Sequence, residues 1–107
     1  MLSEDQVKEL QAKWPRLFRV VVTDENDGAH EVFVRAVTRP EFKRYRKRIG
    51  DPNFRDEAVE ELLTDCVAYP PPEDFQKLLE ALPGACEGIS GLAPVRKMLG
   101  LSVDTGK

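Results

Sequence analysis

Histidine is scarce in this chain: His30 is the only one among 107 residues. A zinc centre built on imidazoles is therefore excluded, and His30 as a general base would need a nucleophile beside it that the flanking residues do not supply. Cysteine is nearly as rare. Cys66 and Cys86 lack metal-ligand or redox spacing, and each falls where a helix takes a small apolar residue, so both read as buried free thiols with no need of a disulfide. The 7 glycines never fall into the Gly-x-Gly-x-x-Gly or Gly-x-x-x-x-Gly-Lys-Ser/Thr order that cradles phosphate, which leaves nucleotide binding without support. No apolar run approaches the roughly 20 residues that a membrane-spanning helix needs. The opening Met-Leu-Ser-Glu-Asp-Gln is acidic where a secretion signal is basic and then apolar, so the expected location is the cytoplasm.

What is present is the composition of a folded domain, 41% hydrophobic and 33% charged, rather than of a disordered tail. The length suits one domain over residues 1–101, followed by a polar, frayed tail over 102–107. The net charge of −3 conceals an asymmetry. Residues 1–50 carry 11 Lys and Arg against 8 Asp and Glu, and residues 51–107 carry 5 against 11. The molecule is expected to be electrically two-ended unless folding interleaves its halves.

Ser3 with Gln6 forms a capping box that opens a short amphipathic helix bearing Val7, Leu10 and Trp14, stopped by Pro15. The β-branched run Val20-Val21-Val22 marks a strand over residues 17–23, and Asp24-Glu25-Asn26-Asp27-Gly28 a reversal. The return strand, residues 29–37, alternates His30, Val32, Val34 and Ala36 with Glu31, Phe33, Arg35 and Val37. At Thr38 the period changes. Thr38 and Glu41 make a second capping box with Pro40 in the first turn, and the helix it opens sets Phe42, Tyr45 and Ile49 on one edge against a run of Lys and Arg. Val59, Leu62, Leu63, Cys66 and Val67 then fall at i, i+3, i+4, i+7 and i+8 of a core helix with an acidic outside. After Tyr69-Pro70-Pro71-Pro72 comes a helix carrying Phe75, Leu78, Leu79 and Leu82. The segment Ala85 to Leu101 is helical in spacing but interrupted by Gly88, Gly91 and Pro94, and Pro94 can equally open a separate short helix. There is no internal repeat. The pattern predicts an α+β fold, a two-stranded antiparallel hairpin followed by a small helical bundle, with four to five helices in total.

Glu57, Glu60, Glu61 and Asp65 lie together on one helix face, but a hard cation wants ligands from several directions, so a solvated acidic face is the expectation and neither metal nor cofactor is assigned. No cluster points to catalysis. The basic run from Arg39 to Arg48 is the one feature with the charge of a nucleic-acid footprint. An acidic pI near 5.2, the acidic helix that follows and the lack of stacking aromatics weigh against that use. These cations are instead expected to face the acidic helix or to rim a protein-docking site. A two-stranded hairpin is too small to hide every apolar helix edge, which predicts an open groove for a partner's amphipathic helix or for self-association. The groove candidates are Phe75, Leu78, Leu79, Ile89, Leu92, Met98 and Leu99, and the rim candidates Lys43, Arg44, Lys47 and Arg48.

Three stretches carry a family likeness: Arg35-Ala36-Val37-Thr38-Arg39-Pro40-Glu41-Phe42 at the hairpin-to-helix corner, Glu57 to Pro70, and Leu82-Pro83-Gly84 with Ile89. Over residues 17–101 their order resembles the small tail assembly chaperones of long-tailed bacteriophages and prophages. The resemblance implies a non-enzymatic protein that coats the helical tape measure protein and brings tail subunits onto it in the bacterial cytoplasm. Gly91 and Pro94 depart from the continuous closing helix of that pattern.

Overall fold

The computed structural model describes residues 2–101, with the side chain of Asp56 excepted; the tail expected over 102–107 lies outside the described residues. Helix α1 (Glu4–Lys13) begins as its capping box requires: the Gln6 amide N–H donates to Ser3 Oγ, and the Ser3 N–H donates back to the Gln6 side chain. Strands β1 (Leu17–Thr23) and β2 (Ala29–Arg35) pair antiparallel in an unbroken register, from Leu17 opposite Arg35 to Thr23 opposite Ala29. Asp24 organises the turn between them, accepting from the N–H groups of Asn26 and Gly28. A Cβ at Gly28 would meet Asp24 Oδ2 at 2.6 Å, so a side chain there would push aside the carboxylate that organises the turn. Helix α2 (Arg39–Ile49) follows, then α3 (Arg55–Cys66).

The first correction comes at the end of α3. Val67, expected on the helical stripe, leaves the helix and starts a third strand, β3 (Val67–Tyr69), which pairs antiparallel with β2. Two forces favour the switch. Pro70 biases Tyr69 toward extended backbone, and the chain at 67–69 satisfies the second edge of β2 instead of leaving its N–H and C=O groups bare. The sheet is thus three-stranded, in the order β1-β2-β3, and β2 is its centre. This explains why Glu31, Val32, Phe33, Val34 and Arg35 are all buried in a strand whose sequence alternates: both faces are covered.

On the inner face Val20, Val32 and Val34 pack on Leu62, Leu63 and Cys66 of α3 and on the remaining helices, α4 (Pro72–Ala81), α5 (Ala85–Ser90) and α6 (Ala93–Met98). Among the described residues there are six helices where four to five are expected, because the closing segment divides at Gly91, with Pro94 in the first turn of α6. Gly100, with φ of 75°, ends α6; a side chain there would be strained and would press on the Phe42 ring at 3.3 Å. A hydrogen bond from Val37 N–H to the Met98 carbonyl fastens the C-terminal end of α6 to the hairpin-to-helix corner. The fold is α+β.

The outer face of the sheet is covered more loosely. No residue of α1 is buried. The helix is held near its two ends, where the Leu2 N–H donates to Glu31 and where the Trp14 ring meets the Arg35 guanidinium at 4.4 Å. Between α1 and the sheet lies an open cleft of about 570 Å³, lined by Leu2, Val7, Leu17 and Phe33 with Arg19 and Glu31 beside them.

Candidate protein-binding surface

The expected apolar groove is filled. Phe75 and Leu99 are wholly buried, Ile89, Leu78, Leu79 and Met98 nearly so, and only Leu92 is exposed, at 41%. The expectation of a groove rests on a two-stranded sheet with too little surface. The third strand and the break at Gly91 change that arithmetic: α4 packs against β3, α5 against α3 and α4, and α6 against β2. Apart from Leu92, the groove candidates are core, each contributing on the order of 2 kcal/mol of burial.

The cations of the basic helix divide by their partners. Arg44 pairs with Asp65 at 3.5 Å and Arg48 with Glu61 at 2.7 Å, so these two rim candidates are turned onto the acidic helix α3. Arg48 also covers the exposed ring of Phe54 at 5.0 Å. The two charge-opposed halves of the chain are therefore interleaved at the α2–α3 contact. Between these helices lies a cleft of about 330 Å³, its floor Tyr45, Ala58 and Leu62 and its walls the paired charges. Lys43 and Lys47 behave differently. With Arg46 they line a shallow depression, and with Arg39 they form a strip along the solvent side of α2. Among the described residues, none of these four cations has an ion-pair partner.

What holds that strip in place is a contact that sequence reading caught only by half. Glu41 reaches back to the Thr38 N–H at 2.9 Å and accepts from the Thr38 hydroxyl at 2.8 Å, as a capping residue does. The same carboxylate takes both arms of the Arg35 guanidinium, at 2.9 and 2.5 Å. Arg35 also donates to the Ala36 carbonyl and, at 2.6 Å, to that of Asp65, one of the unsatisfied carbonyls at the end of α3. The Arg35 bond to Glu41, helped by the Thr38 donors, holds the Glu41 carboxyl at about 2, and Glu41 in turn raises the Arg35 pKa. The capping spacing pointed to Glu41. Arg35 stands in the same hairpin-to-helix stretch, but its role was not legible there, because two of its partners, Asp65 and Trp14, are distant in sequence.

The remaining titratable groups make no reactive centre. His30 pairs with Asp24 at 3.0 Å on the exposed hairpin turn. Burial pushes the Cys66 thiol up to about 12 and that of Cys86 to about 11, which keeps both protonated at neutral pH. Among the described residues no group of three His, Cys, Asp or Glu side chains is placed to hold a metal ion, and no helix is long and apolar enough to cross a membrane.

No curated protein matches the chain in sequence. Its fold is similar to that of an uncharacterised protein, rbstp2171, from Bacillus stearothermophilus, with a TM-score of 0.67 over 94% of this chain and 98% of that one at 17% identity. A shared sequence pattern runs through almost the whole chain, from the end of α1 through the sheet and all the later helices. With residues 10–107 matched, the chain belongs to the family described as Domain of unknown function (DUF6848).

Proposed function

We propose that this protein is a non-enzymatic chaperone of phage tail assembly that binds the helical tape measure protein or a tail subunit. The observation that carries the reading is the division of α2: Arg44 and Arg48 are spent on α3, while Arg39, Lys43, Arg46 and Lys47 present a strip of charge with no ion-pair partner among the described residues. The Arg35–Glu41–Thr38 junction fixes the angle of that helix. A rigid, unpartnered cationic strip suits fast, reversible capture of acidic helical segments, the kind of encounter a coating protein needs. With the apolar groove filled, docking by charge replaces docking by an apolar face as the mode of binding. The order of parts at Arg35 to Phe42, Glu57 to Pro70 and Leu82 to Gly84 supports the phage assignment.

The test has two arms. A tail chaperone gene lies just upstream of a very long, helix-rich reading frame; finding no such neighbour would count against the phage assignment. In solution, Lys43→Glu/Lys47→Glu is expected to abolish capture of fragments of that neighbouring protein while leaving stability within about 0.5 kcal/mol. If the same variant instead removes a steeply salt-dependent affinity for DNA or RNA, the strip is a nucleic-acid site and the chaperone reading fails.

A further inference from the structure

The sheet ends on an open edge. Among the described residues, β1 pairs with β2 on one side and with no strand on the other, and no backbone hydrogen bond outside the sheet engages residues 17–23. Proteins usually guard such an edge with a proline, a bulge, a very short strand or a charge pointing across it. Here β1 is seven residues long, regular throughout its register, and free of proline. Its one charged residue, Arg19, is drawn back over its own sheet by an ion pair with Glu31 on β2. Phe18 and Val22 are only partly buried at the margin of the core, and Val21 is 42% exposed on the other face.

We infer that β1 is a homodimer edge, at which two copies of this chain pair antiparallel about a two-fold axis through Val20 to give one continuous six-stranded sheet. The strand is complementary to itself in this register. Leu17 falls opposite Thr23, Phe18 opposite Val22, Arg19 opposite Val21, and Val20 opposite Val20 of the second copy. An axis perpendicular to the sheet keeps the two inner faces on the same side, so Phe18, Val20 and Val22 of both copies make one apolar ladder continuous with both cores. A register centred on Arg19 would set guanidinium against guanidinium. The Val20 register avoids this and also aligns the flanks. The acidic turn Asp24-Glu25-Asn26-Asp27 of one copy comes beside Arg16 and the Lys13 end of α1 in the other, twice by symmetry. Arg16 and Lys13 are exposed and have no ion-pair partner among the described residues. This charge match favours a second copy over an arbitrary extended segment, and it stands independently of the chaperone reading.

Sedimentation equilibrium of the full chain tests the interface, with amide exchange of β1 followed at low and high protein concentration. The expected result is a monomer–dimer equilibrium in which β1 amides become protected as concentration rises. Val21→Arg, which sets two like-charged pairs across the axis, should raise the dissociation constant about tenfold, whereas Val21→Glu, opposite Arg19 of the second copy, should not raise it. Circular dichroism establishes that both variants fold. A chain that stays monomeric up to roughly 1 mM, the weak end of specific association, overturns the inference. So does a dimer indifferent to Val21→Arg, or β1 exchange independent of concentration.

Discussion

Arg35 in β2 and Glu41 in α2 meet as a bidentate ion pair, each side chain about one-tenth exposed, at the point where the period of the chain changes from strand to helix. One carboxylate thereby serves as the cap of α2 and as the counter-ion of a guanidinium that also closes α3 at the Asp65 carbonyl and lies against Trp14. Sheet, basic helix, acidic helix and N-terminal helix are tied at a single buried charge. The placement of the cationic strip on α2 depends on that tie.

Removing one member leaves the other charge buried without its partner, which costs more than the pair contributes as a whole. Arg35→Met is therefore expected to destabilise the protein by about 3 kcal/mol in urea unfolding. Arg35→Met combined with Glu41→Leu should recover part of that loss. Thr38→Ala removes a single hydroxyl donor and should cost only about 1 kcal/mol. If Thr38→Ala proved as severe as Arg35→Met, the ion pair would not be the element that sets the corner.

Acid should find the same contact. The Glu41 carboxyl sits at about 2 in the folded protein against an ordinary 4.5, chiefly through its bond to Arg35. Because the folded value is the lower one, its contribution is complete above pH 4.5 and is lost as pH falls from 4.5 toward 2. That contribution is about 3 kcal/mol. Glu31, lowered by its bond to Arg19, adds to the acid sensitivity in the same direction. Stability measured from pH 6 to pH 2 should fall less steeply below pH 4.5 in Glu41→Gln than in the parent, and equal slopes would rule the assignment out.

The thiols supply a probe of the core. Cys66 is wholly buried between the sheet and α3, with its pKa at about 12, whereas Cys86 is half-buried with its pKa at about 11. At pH 8 a thiol reagent should modify Cys86 slowly and Cys66 only at the rate of unfolding. Rapid modification of Cys66 in the native protein would mean that the packing of α3 on β2 is looser than described.

Signals that act within one or two turns were legible in the residues themselves. The capping boxes at Ser3 and Thr38 and the Asp24 turn each rest on neighbours a few positions apart, and each stands where its spacing places it; α3 instead stops at Cys66, ahead of Pro70, and β2 ends at Arg35 and is buried on both faces from residue 31 to 35 despite its alternation. The basic run on α2 was equally visible, but not which cations remain free. That depended on how far α2 and α3 are rotated against each other, which directs Arg44 and Arg48 inward and leaves Lys43 and Lys47 in solvent.

Three things belonged to the tertiary structure alone. Val67–Tyr69 became a strand because β2 had an unpaired edge within reach, a partner 33 residues away by register from Val34 to Val67 that no local window contains. That strand gives α4, with Phe75, Leu78 and Leu79, a surface to pack on, and the break at Gly91 lets Ile89, Met98 and Leu99 reach the same core, which turns an expected groove into core. Arg35 became the centre of the junction because packing brought Asp65 and Trp14 to its guanidinium. Local periodicity and capping chemistry determine which segments are helix or strand and which faces are apolar. Which of those faces remain open is decided only when the segments compete for the same surface, since burial depends on every neighbour at once.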